Sequence, residues 1–156
     1  MRKVSSETPL SEITLRKFEK PYSMSVRSAV RRFCVSIGIL QPGDGRDSIV
    51  DILIFFLEAK KKGFFLEPEE VRVFLKKKGS DLALSNVRRQ VKRLKDKGLV
   101  EKRPEGYRVV EFGTLASSVD KMEEMFVKPS LERIRDYASL IDSYFTFSKD
   151  LIKSLK

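Results

Sequence analysis

Histidine and tryptophan are absent from the 156-residue sequence, and cysteine occurs once, at Cys34. Without histidine the chain lacks the side chain that most often acts as a general base and as a metal ligand. A single cysteine excludes an internal disulfide framework and an all-cysteine zinc site, and it favours a reducing compartment. Cys34 itself is expected to be a small buried residue. The sequence therefore contains no recognisable set of catalytic residues, and it predicts that the protein is not an enzyme and binds no metal and no cofactor.

Long hydrophobic runs are also missing. The longest, residues 52–57, is far shorter than the ~20 apolar residues that span a bilayer, and residues 1–6 lack the apolar core of a signal peptide. The sequence therefore predicts no membrane partner and a cytoplasmic location. A composition of 41% apolar and 35% charged residues is typical of a globular chain that buries a core of its own.

The basic charge is concentrated in one segment of the chain. Of the formal net charge of +10, most comes from residues 76–108, which contain 12 basic and 4 acidic side chains. Residues 41–75 and 109–156 are slightly acidic, and residues 1–40 hold a smaller basic excess. Because a solvated helix face usually mixes both signs, this segment predicts a surface that binds nucleic acid rather than one that only confers solubility.

The chain divides into three segments at residues 45/46 and 113/114. Residues 1–45 predict a short helix between residues 9 and 20, a second helix that starts at Ser23, and a turn-rich linker at residues 41–46. Residues 46–113 predict three helices and then two strands, residues 99–103 and 107–112, joined at residues 104–106. A capping box between residue 47 or 48 and Asp51 is expected to start the first of these helices.

Residues 114–156 predict two helices separated at Pro129. In the final helix, from Ser130 onwards, apolar side chains recur at alternating intervals of three and four, the pattern of a coiled-coil seam. This band predicts a homodimer, with the N-terminal helices contributing, although packing against those helices within one chain and an effector pocket lined by its aromatic residues are alternatives. The residues assigned to dimerisation are Leu131, Ile134, Ala138, Ile141, Phe145, Ile152 and Leu155.

The order of elements over residues 47–112 resembles a winged helix-turn-helix. Residues 87–100 are similar to the recognition helix and first wing strand of the MarR, ArsR and PadR transcription regulators, in which Leu-x-x-x-Gly-Leu-Val is a common ending; here it runs from Leu94 to Val100. The flanking helices resemble the MarR layout most closely, whereas the short wing at residues 103–107 has ArsR or PadR proportions. The cysteine and histidine ligands of ArsR metal sensors are absent. The resemblance implies a mainly α fold with a small two-stranded antiparallel wing and flanking dimerisation helices.

The third predicted helix, residues 84–97, has an inward stripe of Leu84, Val87, Val91 and Leu94 and an outward polar face. Arginine pairs with guanine and asparagine with adenine in the major groove, whereas lysine contacts phosphates. Arg89 is predicted to be the principal base reader and Lys92 a positioning residue. The full set of predicted DNA contacts is Ser85, Asn86, Arg88, Arg89, Lys92, Arg93 and Lys97 in the helix, Lys102, Arg103 and Arg108 in the wing, and Lys76, Lys77 and Lys78 before it.

The function predicted from these features is that of a dimeric transcription regulator that binds double-stranded DNA. Two alternatives remain open: an architectural protein that binds nucleic acid without sequence preference, and a winged-helix module that docks on another protein. A small-molecule effector has no support in the sequence.

Overall fold

The computed structural model describes residues 7–146 and residue 155, and this part of the chain is mainly helical with one small antiparallel sheet. The predicted fold class is confirmed at this level. The helices are α1 (Val26–Ser36), α2 (Ser48–Lys61), α3 (Pro68–Lys77), α4 (Leu84–Asp96), α5 (Leu115–Met122) and α6 (Lys128–Tyr144), and the strands are β1 (Val100–Arg103) and β2 (Gly106–Val109). None of the helices in this part of the chain has the length and apolarity needed to span a bilayer.

The hydrophobic core is built around α2, whose apolar side chains point in nearly every direction. Ile52, Leu53 and Phe56 are fully buried, and the same core continues from Val30 in α1 to Met122 at the end of α5. We call residues 26–122 the body. Cys34 is buried in this core as expected, and burial raises the pKa of its thiol to about 11.

The N-terminal segment departs from its prediction, because no helix forms between residues 7 and 25. The backbone N–H of Arg16 donates to the carbonyl of Ser36 at 2.8 Å, and its guanidinium donates to the carbonyls of Val35 and Leu40 at 2.8 and 3.1 Å. The bonds to Val35 and Ser36 supply donors to the C-terminal end of α1, where helix carbonyls lack intrahelical partners, and the bond to Leu40 ties the segment to the connection after α1. The segment is therefore held as an extended strap by a neighbouring helix instead of by its own helical hydrogen bonds.

The predicted capping box at the start of α2 is also absent. Asp51 accepts from the guanidinium of Arg27 at 3.1 Å, and Asp47 accepts from Arg27 and Arg31 at 3.1 and 2.9 Å. The two carboxylates therefore tie α1 to α2 and do not cap the helix. A capping box forms instead at α3, where the N–H of Glu67 donates to the carboxylate of Glu70 at 2.8 Å.

The β1–β2 hairpin has a two-residue loop and pairs Val100 with Val109 and Arg103 with Gly106. Leu66, in the connection before α3, adds a third short edge: its N–H and carbonyl each bond Tyr107 of β2 at 2.8 Å. Gly106 has a φ of +134°, and a Cβ there would lie 2.8 Å from a carboxylate oxygen of Glu67. Only glycine fits this close approach. The hairpin is thus fastened to the start of α3, and β2 is shorter than predicted because a 3-10 turn follows it at Val110–Phe112.

The sequence predicted a break between two helices at Pro129, but the structure has no break there. A π-helical segment, Glu123–Val127, joins α5 to α6, and the N–H of Lys128 donates to the carbonyl of Glu123, five residues back. Proline lacks an N–H and its ring collides with the carbonyl four residues earlier, and this wider turn removes the conflict. The helical path therefore continues through Pro129 into α6.

Helix α6 extends from the body with every described side chain except Ser130 exposed. Leu131 in its first turns is 43% exposed, and Phe145, directly after its end, is 73% exposed. None of its apolar residues packs on the N-terminal helices within the described residues. Within the described residues, packing against the N-terminal part of the same chain therefore does not cover this band. Of the residues assigned to dimerisation, Leu155 is exposed and Ile152 lies outside the described residues.

Candidate nucleic-acid interface

Helix α4 is anchored to the body by its inward stripe. Val87, Val91 and Leu94 are completely buried, as predicted. The helix ends where Gly98 adopts a φ of +78°, which lets the N–H of Leu99 bond back to the carbonyl of Leu94 at 3.0 Å. Because the stripe and this end are fixed, the opposite face of α4 must point into solvent.

The outward face of α4 carries polar and basic side chains held in weak surface pairs. An Nη atom of Arg89 donates to the Oδ1 of Asn86 at 2.8 Å, and the Nζ of Lys92 lies 3.0 Å from the carboxylate of Asp96. Ser85 is exposed beside them. An exposed ion pair such as Lys92–Asp96 contributes about 0–1 kcal/mol, so an incoming anion can replace it at little cost.

A basic cleft separates α4 from the β1–β2 hairpin. Arg88, Lys92 and Lys95 of α4 line it on one side, and Lys102 and Tyr107 of the hairpin line it on the other, around a volume of about 440 Å³. Lys102 and Tyr107 are directly opposite in the strand register, and the Nζ of Lys102 lies 5.0 Å from the centre of the Tyr107 ring. The cleft therefore gathers four cations, the kind of side chain that contacts a phosphate backbone.

The start of α3 closes the cleft with acidic groups. Glu67, Pro68 and Glu69 line that end, and the carboxylate of Glu69 lies 3.3 Å from the guanidinium of Arg88. Glu69 also borders a shallow groove on α3 that contains Arg72 and Lys76. The positive surface of α4 thus continues onto α3 across a single ion pair.

Lys95 is a cleft residue that sequence reasoning missed. It follows Leu94 directly and lies beside the inward stripe, where the helical wheel suggests a residue turned toward the body. Its side chain is nevertheless exposed and reaches the cleft, because the long lysine stem extends along apolar surface to bring its charge to water. Lys95 could have been predicted from the sequence, because it is a basic residue on the flank of α4 that faces the basic strand β1.

Arg93 does not share the outward face, which corrects its predicted placement, and Lys97, which was predicted on the flank of that face, lies beside Arg93. The guanidinium of Arg93 donates to the carbonyl of Ile39 and, at 2.8 Å, to the side chain of Gln90. Both cations line a separate pocket of about 300 Å³ with Met122 and Phe126. Burial, and then the charge of Arg93, hold the pKa of Lys97 below its usual value. The connection between α1 and α2 covers this side of α4, a contact that no helical wheel contains.

Arg108 is also placed differently from its prediction, on the far face of the hairpin. Its side chain is 17% exposed, and its Nε lies 2.7 Å from the carboxylate of Glu101. Its guanidinium carbon lies 5.4 and 4.7 Å from the centres of the Phe65 and Phe112 rings, which pack edge to face against each other. An N–H bond from Glu111 and then the Arg108 guanidinium hold the pKa of Glu101 below its usual range. Arg108 therefore secures the base of the hairpin and does not face α4.

The remaining predicted contacts are exposed at the edges of this surface. Arg103 lies at the end of β1 with its Nε 3.7 Å from the Glu101 carboxylate. Lys76, Lys77 and Lys78 are exposed where α3 ends, and the Nζ of Lys78 lies 5.5 Å from the centre of the Phe74 ring. These residues extend the positive surface but do not line the cleft, apart from the groove that Lys76 shares with Glu69.

No three aspartate, glutamate or cysteine side chains of the described residues gather closely enough to hold a metal ion. Comparison with known proteins finds no matching family, no matching curated protein and no matching solved structure. The positions and charges of these side chains are therefore the grounds on which a function is assigned to this surface.

Proposed function

We propose that this protein is a dimeric, DNA-binding transcription regulator with a winged helix-turn-helix, in which α4 enters the major groove and the β1–β2 hairpin is the wing. The element order supports this: α3, a six-residue connection and α4 precede the hairpin, and Leu66 adds the short edge before α3. The observation that carries the proposal is the exposed basic face of α4 beside a cleft that the hairpin lines with a further cation.

Base reading is assigned to Arg89, Asn86 and Ser85, which share the outward face of α4. Arginine can donate two bonds to one guanine, and asparagine can exchange two bonds with adenine. Arg89 and Asn86 bond each other in the free chain, so both side chains are already positioned side by side and exchange this bond for bonds to bases.

Phosphate binding is assigned to the cleft, through Arg88, Lys92, Lys95 and Lys102. Such contacts fix the register of the protein on the duplex and carry no sequence information. They also release counterions, so affinity should fall steeply as salt concentration rises.

Dimerisation is assigned to the apolar band of α6. An exposed apolar band on a helix that its own chain leaves uncovered is typical of a protein interface. A two-fold dimer of helix-turn-helix units matches two half-sites about one DNA turn, or a multiple of it, apart.

The test compares two substitutions on duplexes selected from a random-sequence pool. Arg89→Ala should weaken binding to the selected duplex by ~1–3 kcal/mol and relax the preference at one base position. Lys92→Ala should weaken binding to selected and scrambled duplexes alike, and it should lower the slope of log affinity against log salt concentration by about one. Arg133→Ala is the matched control, because Arg133 is an exposed arginine on α6, outside this surface. Unchanged affinity in both interface variants would contradict the proposal.

Architectural, sequence-independent binding is the second candidate function. The observation that favours it is the number of lysine and arginine side chains in the cleft, because such side chains bind the phosphates of any duplex. Equal losses on selected and scrambled duplexes in Arg89→Ala would support it over the specific regulator.

A further inference from the structure

The apolar band of α6 has the spacing of a coiled-coil seam. In heptad notation Leu131 and Ala138 are a positions, and Ile134 and Ile141 are d positions. Phe145, the residue directly after the end of α6, is the next a position in the sequence. All five side chains are exposed, and the body leaves the seam uncovered along its described length.

Two charged side chains of opposite sign border this seam at e positions, one heptad apart. Neither Arg135 nor Asp142 forms a hydrogen bond or an ion pair through its side chain with any described residue. The neighbouring Arg133, which points away from the seam, does pair with Asp136, at 3.3 Å. A helix docked on the seam would therefore meet Arg135 and Asp142 without first breaking an ion pair.

A second copy of α6 fits this seam when it runs in the opposite direction. In an antiparallel pair, a positions of one helix face d positions of the other. With the two-fold axis between Ala138 and Ile141, Ala138 lies against Ile141 of the second copy, and Ile134 lies against its Phe145. Each layer then combines a smaller side chain with a larger one, which fills the seam evenly.

The borders of the seam are complementary in the same register. In an antiparallel pair, e positions face e positions and g positions face g positions, so Arg135 meets Asp142 of the second copy, and Asp142 meets its Arg135. On the other border, Tyr137 meets Tyr144, and both rings are exposed in the single chain. Aromatic pairs at such borders add to the stabilisation from burial.

Other arrangements lose this complementarity. A shift of one heptad places either Arg135 against Arg135 or Asp142 against Asp142. In a parallel pair, e positions face g positions, so Asp142 meets Tyr137 and no charges are paired. A parallel pair also sets Ala138 against Ala138 and Phe145 against Phe145, which leaves a gap in one layer and crowding in another.

We infer that the occupant of this seam is a second copy of the chain, paired antiparallel in this register. The inference rests on the dimer assigned under the proposed function and specifies its geometry. Met122, the last fully packed residue of the body, lies ~26 Å along the helix from the two-fold axis at about 1.5 Å per residue. The two bodies then attach at opposite ends of the paired helices, with attachment points about 50 Å apart.

Charge exchange across the seam tests the register. Arg135→Glu and Asp142→Arg each place two pairs of like charges across the antiparallel seam, and each should raise the dimer dissociation constant by about tenfold, measured by sedimentation equilibrium. An equimolar mixture of the two single variants should recover wild-type affinity, because each heterodimer contains only opposite pairs. The double variant should recover it as well.

Two matched controls carry the same charge changes off the seam. Arg133→Glu and Asp136→Arg should leave the dimer unchanged; equal weakening by these controls would attribute the effect to net charge and overturn the inference. Single seam variants that dimerise like the wild type, or a mixture that is not rescued, would overturn the antiparallel register. A monomeric wild type would overturn both the register and the assigned dimer, whereas the DNA affinity of Arg89→Ala tests α4 separately.

Discussion

Helices α4 and α6 are both amphipathic, but within the described residues the chain covers the apolar stripe of α4 and leaves that of α6 exposed. Three of the four stripe residues of α4 are fully buried and the fourth, Leu84, is half-buried, whereas the stripe of α6 is 43% exposed at Leu131 and 73% exposed at Phe145. The difference lies in the path of the chain after each helix: β1 turns back onto α4, while no described segment returns along α6. A periodic apolar stripe therefore predicts that a face is covered, but not whether its own chain or another molecule covers it.

The largest expected effect is the loss of a covered side chain in α4. Leu94→Ala should lower the free energy of unfolding by about 2–5 kcal/mol, because it removes a fully buried side chain and leaves a cavity. Denaturant titration of the purified variant measures it. A loss below about 0.5 kcal/mol, the usual range for surface substitutions, would mean that α4 is not packed as described.

A smaller effect is expected at the side of α4 that faces the α1–α2 connection. Arg93→Ala should cost roughly 1–3 kcal/mol of stability, because the carbonyl of Ile39 loses its charged donor. The Arg93→Ala variant should discriminate between selected and scrambled duplexes as well as the wild type does, in contrast to Arg89→Ala. Measuring the unfolding free energy and the duplex selectivity of both variants distinguishes the two sides of the helix. A loss of selectivity in Arg93→Ala would show that Arg93 contacts the DNA.

The smallest effect on the isolated chain is expected at α6. Leu131→Ala is the same substitution as Leu94→Ala, but at an exposed site it should change the unfolding free energy of the dilute protein by less than about 0.5 kcal/mol. Its effect should appear as a weaker rise of the unfolding midpoint with protein concentration, because a dimer stabilises the folded chain by mass action. Thermal unfolding at several concentrations gives both values. A large loss at high dilution would show that α6 packs on the body.

The fold was most predictable where the signals are local. The inward stripe of α4, the proline and glutamates that start α3, and the stop at Gly98 act within a few residues, and the structure has each of them. The strap at residues 7–25 was predicted wrongly because its decisive bonds, from Arg16 to the end of α1, join residues about twenty apart. The Leu66–Tyr107 bridge was missed for the same reason.

The candidate site shows the same limit at the level of side chains. A helical wheel correctly separated Val91 from Arg89, but it placed Arg93 beside Arg89 because it contains no neighbouring chain. Strand alternation separates Lys102 from Arg108, and the choice of face depends on Phe65, which lies far away in the sequence. Side chains on the flanks of an element are therefore assigned by tertiary contacts alone.

The π-helical segment before Pro129 determines the direction in which the seam of α6 faces. Successive residues of an α-helix are rotated by about 100°, so in an uninterrupted helix the seam would lie roughly 140° around the axis from Met122. The one-residue insertion of the π turn rotates everything after it by about 100° and brings the seam to within roughly 40° of that buried residue. The seam and the body therefore lie on the same side of one continuous helix, and a partner helix on the seam approaches along the side where the body lies.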